Sequence, residues 1–331
     1  MANRYWVGGS GTWDAINILN WSLISGGVGG ATVPGIADTA LFDANSGAAV
    51  VTLGANASVL ILNATAFSGT LAFSTFKISV AGNAATIVRG STTLTCTGTR
   101  KLELTYAGAV GTRTLALGAV TENSAFSIYV VAGTDIVAIA SSNHLYTLDF
   151  TGFSGTFTSS SRTIYGGLVF SAGMTISAYG TLTFAATSGP QIIDLGGKTN
   201  DGNVTFNGVG GVWECASAFT LGATRTLTFT NGTIKLKNGV TSTVGSFVTS
   251  GTNQKFMQSM LAGSQATLSK ASGTVSVGYL TIKDINATGG ATFNAFTVNS
   301  NVNAGNNLGW DFFAQLGKTI YTRRKEKRVL I

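Results

Sequence analysis

A repeated pattern is clearest in residues 148–170, which read LDFTGFSGTFTSSSRTIYGGLVF. A short apolar–x–Phe segment begins and ends this stretch, and mainly Gly, Ser and Thr lie between. The triplet recurs as Leu71-Ala72-Phe73, Leu148-Asp149-Phe150, Leu168-Val169-Phe170, Leu182-Thr183-Phe184, Val204-Thr205-Phe206 and Leu227-Thr228-Phe229. The last five triplets start at positions 148, 168, 182, 204 and 227. Apart from the short step from 168 to 182, this spacing predicts a solenoid in which each repeat adds one turn.

The residue types within each triplet support the same prediction. In an extended strand the first and third side chains point to one side and the middle one to the other. The middle positions hold Ala, Asp, Val and three Thr, which are mostly small or polar. One coil cannot bury its own apolar face, whereas stacked coils share a continuous core. We therefore expect an all-β fold, a right-handed parallel β-helix or related β-solenoid, with about 12 coils of roughly 22 residues.

The composition agrees with this fold and excludes several others. The chain has 44 Gly and only 2 Pro, as expected where turns need positive φ and a Pro would remove a ladder donor. Charged residues make up 10% and hydrophobic residues 44%, the opposite of a disordered protein. No apolar run approaches the roughly 18 residues of a membrane-spanning helix. The first residues lack the features of a secretory signal, so we expect synthesis in a cytosol.

Three parts can be distinguished along the chain. Residues 1–50 contain Trp6, Trp13 and Trp21 among glycines and predict a compact cap or docking module. Residues 51–311 form the predicted solenoid, in which residues 254–261 give the one convincing short helical pattern. Residues 312–331 form a basic C-terminal arm.

The basic arm carries much of the net charge. Residues 318–331 hold six basic residues and one acidic residue, a charge of +5 within the total of +7. Such a run is usually a solvated tail; docking onto a neighbouring subunit and contact with DNA are the alternatives. The apolar end, Val329-Leu330-Ile331, favours protein docking over DNA because strand addition would use it. Together with the three tryptophans, the candidate interaction residues are Arg323, Arg324, Lys325, Lys327 and Arg328.

Two motifs resemble catalytic or nucleotide-binding elements. Gly196-Gly197-Lys198-Thr199 mimics the end of a phosphate-binding loop, but Ile192 stands where that motif needs Gly, so we interpret it as a turn. Asp194 and Glu214 are about one predicted coil apart and could lie on adjacent coils, where a carboxylate pair near 5 Å would suit a retaining glycosidase. Exposed positions in alternating strands explain both carboxylates equally well, and we favour that interpretation.

The remaining reactive residues predict no site. His144 is the only histidine, and its surroundings, Ser141-Ser142-Asn143, predict a polar turn. Cys96 and Cys215 are far apart in the sequence and are expected to be small buried residues, not ligands or disulfide partners. We expect no metal and no cofactor.

The two ends of the chain resemble a known group of proteins. The stretches are NRYWVGGSGTWD at residues 3–14, Asn20-Trp21-Ser22, residues 287–292 and NNLGWDF at residues 306–312. Together they resemble the ends of Gly/Thr-rich β-solenoid virion structural proteins of tailed bacteriophages, over about 90 residues. Similar stretches occur in passenger domains of bacterial autotransporters. The resemblance implies a component of the virion and provides no catalytic residues.

The expected function is therefore structural. We expect a virion protein displayed as a capsid decoration, head fibre or tail component, which acts by assembly and not by catalysis. Its partners would be copies of itself, as trimers or higher multimers, and other virion proteins. The alternatives are a receptor-binding fibre or adhesin that recognises host surface glycans, and a polysaccharide depolymerase.

Overall fold

The computed structural model describes residues 1–83, 85–88, 95–98, 101–116, 127–139, 143–178 and 180–313. It confirms the all-β class: parallel strands are stacked as a β-solenoid of about 11 turns, close to the expected number. The helices in the described ranges are three one-turn 3₁₀ helices at Ile18–Asn20, Ala44–Ser46 and Thr297–Asn299. No helix in these ranges is long and apolar enough to cross a membrane.

The strands are short, as expected when each turn of the solenoid bends several times. The first third of the chain contains β1 (Asn3–Trp6), β2 (Gly11–Trp13), β3 (Trp21–Ser22), β4 (Thr39–Leu41), β5 (Val50–Leu53), β6 (Ala57–Val59), β7 (Ile61–Asn63), β8 (Thr70–Ala72), β9 (Lys77–Val80), β10 (Ala85–Val88), β11 (Thr95–Thr97) and β12 (Lys101–Leu104). The middle contains β13 (Thr112–Ala116), β14 (Ser127–Val130), β15 (Ile136–Ile139), β16 (Asn143–Leu145), β17 (Leu148–Asp149), β18 (Thr156–Ser159), β19 (Arg162–Ile164), β20 (Leu168–Val169), β21 (Thr175–Ala178), β22 (Leu182–Phe184), β23 (Gln191–Asp194), β24 (Thr199–Asn200) and β25 (Val204–Cys215). The last third contains β26 (Thr220–Leu221), β27 (Thr226–Leu236), β28 (Thr241–Thr243), β29 (Ser246–Thr249), β30 (Lys255–Ser259), β31 (Ala266–Ser269), β32 (Thr274–Ser276), β33 (Leu280–Lys283), β34 (Ile285–Thr288), β35 (Thr292–Asn294), β36 (Val302–Asn303) and β37 (Trp310–Asp311).

The strands of successive turns pair into long sheets. The largest sheet follows the path β6-β9-β12-β14-β17-β20-β23-β25-β27-β30-β33-β36 and so runs along most of the solenoid. A nine-stranded sheet extends from β3 and β1 to β21, and smaller sheets complete the two ends. Among the described residues every strand pair is parallel except β1 with β3. Residues 1–50 therefore share sheets with the solenoid, since β4 pairs with β7 and β2 with β5.

The pairing register explains the short step between the Phe triplets that start at Leu168 and Leu182. Leu148 pairs with Leu168 on one sheet path, and the next partner there is Ile193. Leu182 instead pairs with Val204 through the neighbouring strand pair β22 and β25. The last five triplets therefore form two vertical series, and the triplet at Leu71 lies in a separate four-stranded sheet, where Leu71 pairs with Val51 and Cys96. The short step is the distance along the chain from one series to the other.

Within each series the predicted inward side chains are buried in one shared core. The ring centroids are 5.8 Å apart for Phe150 and Phe170, 4.9 Å for Phe184 and Phe206, and 6.3 Å for Phe206 and Phe229. The middle residue of each triplet is half-buried, as the alternation predicts. Aromatic pairs of this geometry contribute about 0.5–1.5 kcal/mol each beyond the burial of their surface.

The short helix expected at residues 254–261 is not present. Lys255–Ser259 forms the strand β30, in which Lys255, Met257 and Ser259 are buried while Phe256 is exposed. The strand has partners on both edges, β27 and β33. Ladder hydrogen bonds and the buried Met257 therefore outweigh the local helical pattern, because strand formation depends on neighbouring strands more than on propensity.

Charged side chains also occur on the inward side, and two of them form an ion pair. Arg113 and Asp135 are both fully buried and joined by two hydrogen bonds, at 2.9 and 2.7 Å. The guanidinium also donates to the carbonyl of Ala132 at 2.8 Å and lies over the rings of Tyr106 and Phe153. A buried pair of this kind is strongly destabilising only when one partner is removed.

Replacing Asp135 by Asn tests the importance of this pair. The substitution leaves the Arg113 charge buried without its counter-ion, so we expect the free energy of unfolding to fall by about 3–5 kcal/mol. Urea denaturation followed by circular dichroism measures the change. The matched control is Asp201→Asn, which removes the ion pair of an exposed Asp201 with Arg225 and should leave the denaturation midpoint unchanged. An equal loss in both variants would contradict a special role for burial.

Candidate interaction surfaces

The three N-terminal tryptophans form the core of the first turn. Trp6 and Trp13 each lie 5.2 Å from Trp21 between ring centroids, and Phe42 contacts all three rings. All three indoles are buried, and Trp6 Nε1 donates to the carbonyl of Gly9 at 2.8 Å. The prediction that these tryptophans contact a partner is therefore corrected, because they expose almost no surface. Large rings need cover, and here the rings cover each other.

Exposed aliphatic side chains surround this core instead. Residues 15–37 contain no charged residue, and this segment folds back so that the Gly30 amide donates to the carbonyls of Ile18 and Trp21, both at 3.0 Å. The most exposed large hydrophobic residue of this segment is Val28, which is 92% exposed. We call the following residues the N-terminal apolar patch: Ile16, Ile18, Leu19, Leu23, Ile24, Val28 and Ile36. Concentrations of exposed apolar residues usually mark contact surfaces.

The adjoining sheet edge is closed to strand addition. The antiparallel strand β3 covers the outer edge of β1. The carbonyl of Trp21 in β3 already accepts hydrogen bonds from the amides of Gly30 and Ala31. An edge covered in this way does not add strands from another chain. Contacts at this edge would therefore use side chains.

The basic arm, with Arg323, Arg324, Lys325, Lys327 and Arg328, lies outside the described residues. The described chain ends beside the last rung of the solenoid, where Phe312 is buried and Phe313 is 81% exposed. The Phe312 carbonyl accepts a hydrogen bond from the Thr297 amide at 3.1 Å.

The two carboxylates considered as a catalytic pair lie on adjacent strands, as expected, but are not opposite each other. Glu214 is in register with Ile192, so Asp194 lies two positions further along its strand. Each carboxylate also has a local partner. Asp194 accepts from the amide of Gly196 at 2.9 Å, and Glu214 accepts from Lys235 at 3.0 Å. Asp194 is thus part of a turn, and Glu214 is part of a side-chain contact between neighbouring strands.

The glycine-rich motif at residues 196–199 and His144 are both parts of the solenoid backbone. Gly196 and Gly197 have positive φ and form the expected turn, and Lys198 donates to the carbonyl of Ala172 at 2.6 Å. The prediction of a polar turn around His144 is wrong, because His144 lies in the strand β16, opposite Thr163. The ladder with β19 requires extended backbone there. His144 Nδ1 is buried and has no hydrogen-bond partner among the described residues.

The prediction that the cysteines are buried is confirmed for Cys215. Cys215 is buried, and this burial raises the pKa of its thiol to about 12. The Cys96 side chain lies outside the described residues. No group of three or more His, Cys, Asp or Glu side chains in the described ranges is arranged to hold a metal ion.

Sequence reasoning missed a groove on the side of the solenoid. Asn253 Nδ2 donates to Asn231 Oδ1 at 2.7 Å, and Asn231 Nδ2 donates to Asn207 Oδ1 at 2.7 Å. Beside this ladder lies a cavity of about 220 Å³. We call it the asparagine groove; its lining is Val209, Gly210, Gly211, Asn231, Gly232, Thr233, Asn253, Gln254 and Phe256. The three asparagines follow one another at the spacing of one turn, and this recurrence could have indicated the ladder.

A second polar cluster lies on the outer side of the long sheet. Glu103 forms ion pairs with Lys77 and Lys101, and Lys101 Nζ lies 4.1 Å above the Tyr129 ring centroid. Burial by itself raises the pKa of Glu103. The hydrogen bonds and charges of the two lysines outweigh this effect, so its pKa lies below the ordinary value. Burial is also the largest cause of the raised pKa of Tyr129, and the nearby carboxylates add to it.

The lowered pKa of Glu103 predicts a pH-dependent contribution to stability. The ionised carboxylate stabilises the fold at pH values above the ordinary pKa of Glu, and this contribution is lost as the pH falls through the lowered pKa. We expect Glu103→Gln to reduce the free energy of unfolding by about 1 kcal/mol at neutral pH, since both lysines are partly exposed. Thermal midpoints of the two proteins, measured from neutral to acidic pH, should converge. A constant difference would instead indicate lost packing.

No protein-family model matches the chain, and neither a curated protein nor a solved structure matches it.

Proposed function

We propose that this chain is a structural component of a bacteriophage particle, as a capsid decoration, head fibre or tail component, and that it acts by assembly. The observation that carries the proposal is the N-terminal apolar patch on the first turn of the solenoid. Seven exposed aliphatic side chains between Ile16 and Ile36, without a charge among them, are costly in water unless a partner covers them. The resemblance of the chain ends to phage virion proteins supports the choice of particle.

The first partner is a further copy of the same chain. Identical aliphatic patches are complementary to one another, and closed cyclic symmetry brings them together around one axis. The covered edge at β3 favours this side-chain contact over continued strand addition. Such an arrangement is compatible with the trimers or higher multimers expected from the sequence, and other virion proteins would then bind the assembled unit.

The test of assembly uses a charged pair of substitutions in the patch. Leu23→Asp with Ile24→Asp should convert a multimer of the purified chain into a monomer in analytical ultracentrifugation, because carboxylates cannot be buried there without a partner. The unfolding midpoint of each subunit should be almost unchanged, since both residues are exposed. Val248→Asp, an exposed apolar position on the flank, is the matched control and should leave the multimer intact.

Two results would contradict the proposal. One is a wild-type chain that is monomeric at all concentrations measured, which would leave the patch without its expected partner. The other is the absence of the chain from purified particles when their proteins are quantified by mass spectrometry. The proposed role requires many copies per particle.

A further inference from the structure

The asparagine groove results from a local difference in length among three successive turns. Asn207 in β25 is in register with Asn231 in β27, and the next pair is Val212 with Thr233. The segment 208–211 of β25 thus lies opposite the single Gly232 of β27. On its other side β27 is again the shorter one, because Phe229 pairs with Thr249 and Thr233 with Phe256, so residues 250–255 lie opposite 230–232. The two longer segments project on either side of β27, and the recess between them is the cavity. Such a bulge is a usual way for a sheet to form a recess.

Glycines keep the floor of the groove free of side chains. A Cβ on Gly232 would lie 2.7 Å from the Gly211 carbonyl oxygen and from Trp213, and one on Gly211 would lie 2.2 Å from the Ala186 carbonyl oxygen. Gly210 and Gly232 also have positive φ. A side chain at Gly211 or Gly232 would therefore collide with the neighbouring turn, so glycine is what allows the turns to pack this closely beneath the groove.

The walls combine apolar and uncharged polar groups. Phe256 is 43% exposed and Val209 is 69% exposed, which provides an aromatic and an aliphatic surface. The polar groups are mainly the amides of Asn231, Asn253 and Gln254. None of the lining residues is charged, and the neighbouring Lys255 is buried, with its ammonium donating to backbone carbonyls.

The amides are held in fixed positions. In the ladder each amide donates to the preceding one, which orients the row and leaves Asn253 Oδ1 and Asn207 Nδ2 without partners in it. Each donating NH₂ group also retains a second N–H. Gln254 is fixed separately by a hydrogen bond to Thr281 at 2.9 Å. Adjacent donors and acceptors match groups that both donate and accept, which are hydroxyls.

We infer that the asparagine groove binds an uncharged saccharide chain. The apolar face of one sugar ring packs on Phe256, and its hydroxyls bond to Asn231 and Asn253. Two features disfavour a peptide or a nucleic acid: both edges of β27 are already paired, and the lining has no cation for a phosphate. The inference stands apart from the assembly role, because no residue of the N-terminal apolar patch lines the groove.

The test measures binding of neutral oligosaccharides to the purified full chain. The probes are gluco-, manno- and galacto-oligosaccharides of matched length, with an oligogalacturonate as the anionic comparison. Isothermal titration should detect at least one neutral probe and no binding of the anionic one. Phe256→Ala should weaken the binding about tenfold or more, and Phe256→Trp should retain it. Asn231→Ala should also weaken it.

The matched control is Val248→Ala, an exposed apolar truncation outside the groove that should leave binding unchanged. Circular dichroism of each variant checks that the solenoid is intact. The inference is overturned if the wild type binds no neutral probe, if Phe256→Ala binds as tightly as the wild type, or if the anionic probe binds equally well. Failure here leaves the ultracentrifugation result untouched, so the two proposals are distinguished.

Discussion

Parallel hydrogen bonding between successive turns is the constraint on which the rest of this structure depends. It places each residue directly above the equivalent residue of the previous turn, so an inward position stays inward along the whole stack. The sheet path that includes Ile128, Leu148, Leu168, Ile193 and Cys215 shows the result, since every one of these side chains is buried. An inward charge then has no route to water and must find a partner within the core, as Arg113 does with Asp135.

The same pairing gives the solenoid two ends that have to be finished differently from its sides. At the N-terminal end the antiparallel strand β3 closes a sheet edge, and the packed indoles seal the first turn. The aliphatic residues outside this seal are exposed and not part of the core, and the proposed assembly would use them. Along the sides of the solenoid most strands are paired at both edges. A partner that binds there can therefore contact only side chains.

On those flanks the repeat multiplies small chemical features. A single exposed Asn is a weak contact, but one Asn per turn at the same position forms a row with fixed spacing and direction. The row becomes a groove only where one turn is shorter than both of its neighbours, at residues 230–232. By comparison, Asp194 and Glu214 lie on adjacent turns at different positions and are held by separate partners. Register thus decides which polar residues act together.

The alternation and the period of the Phe triplets were sufficient to predict the all-β solenoid and the buried side chains of the triplets, because both follow from local geometry. Burial of Cys215 could be predicted from its residue type and isolation. Which side of a turn each strand occupies was decided only by the tertiary structure, since corner lengths vary and the triplets at Leu168 and Leu182 look equivalent in the sequence. The strands at His144 and Met257 also depend on partners about one turn away along the chain. The asparagine groove depends on a difference between turns, and local pattern does not report such differences.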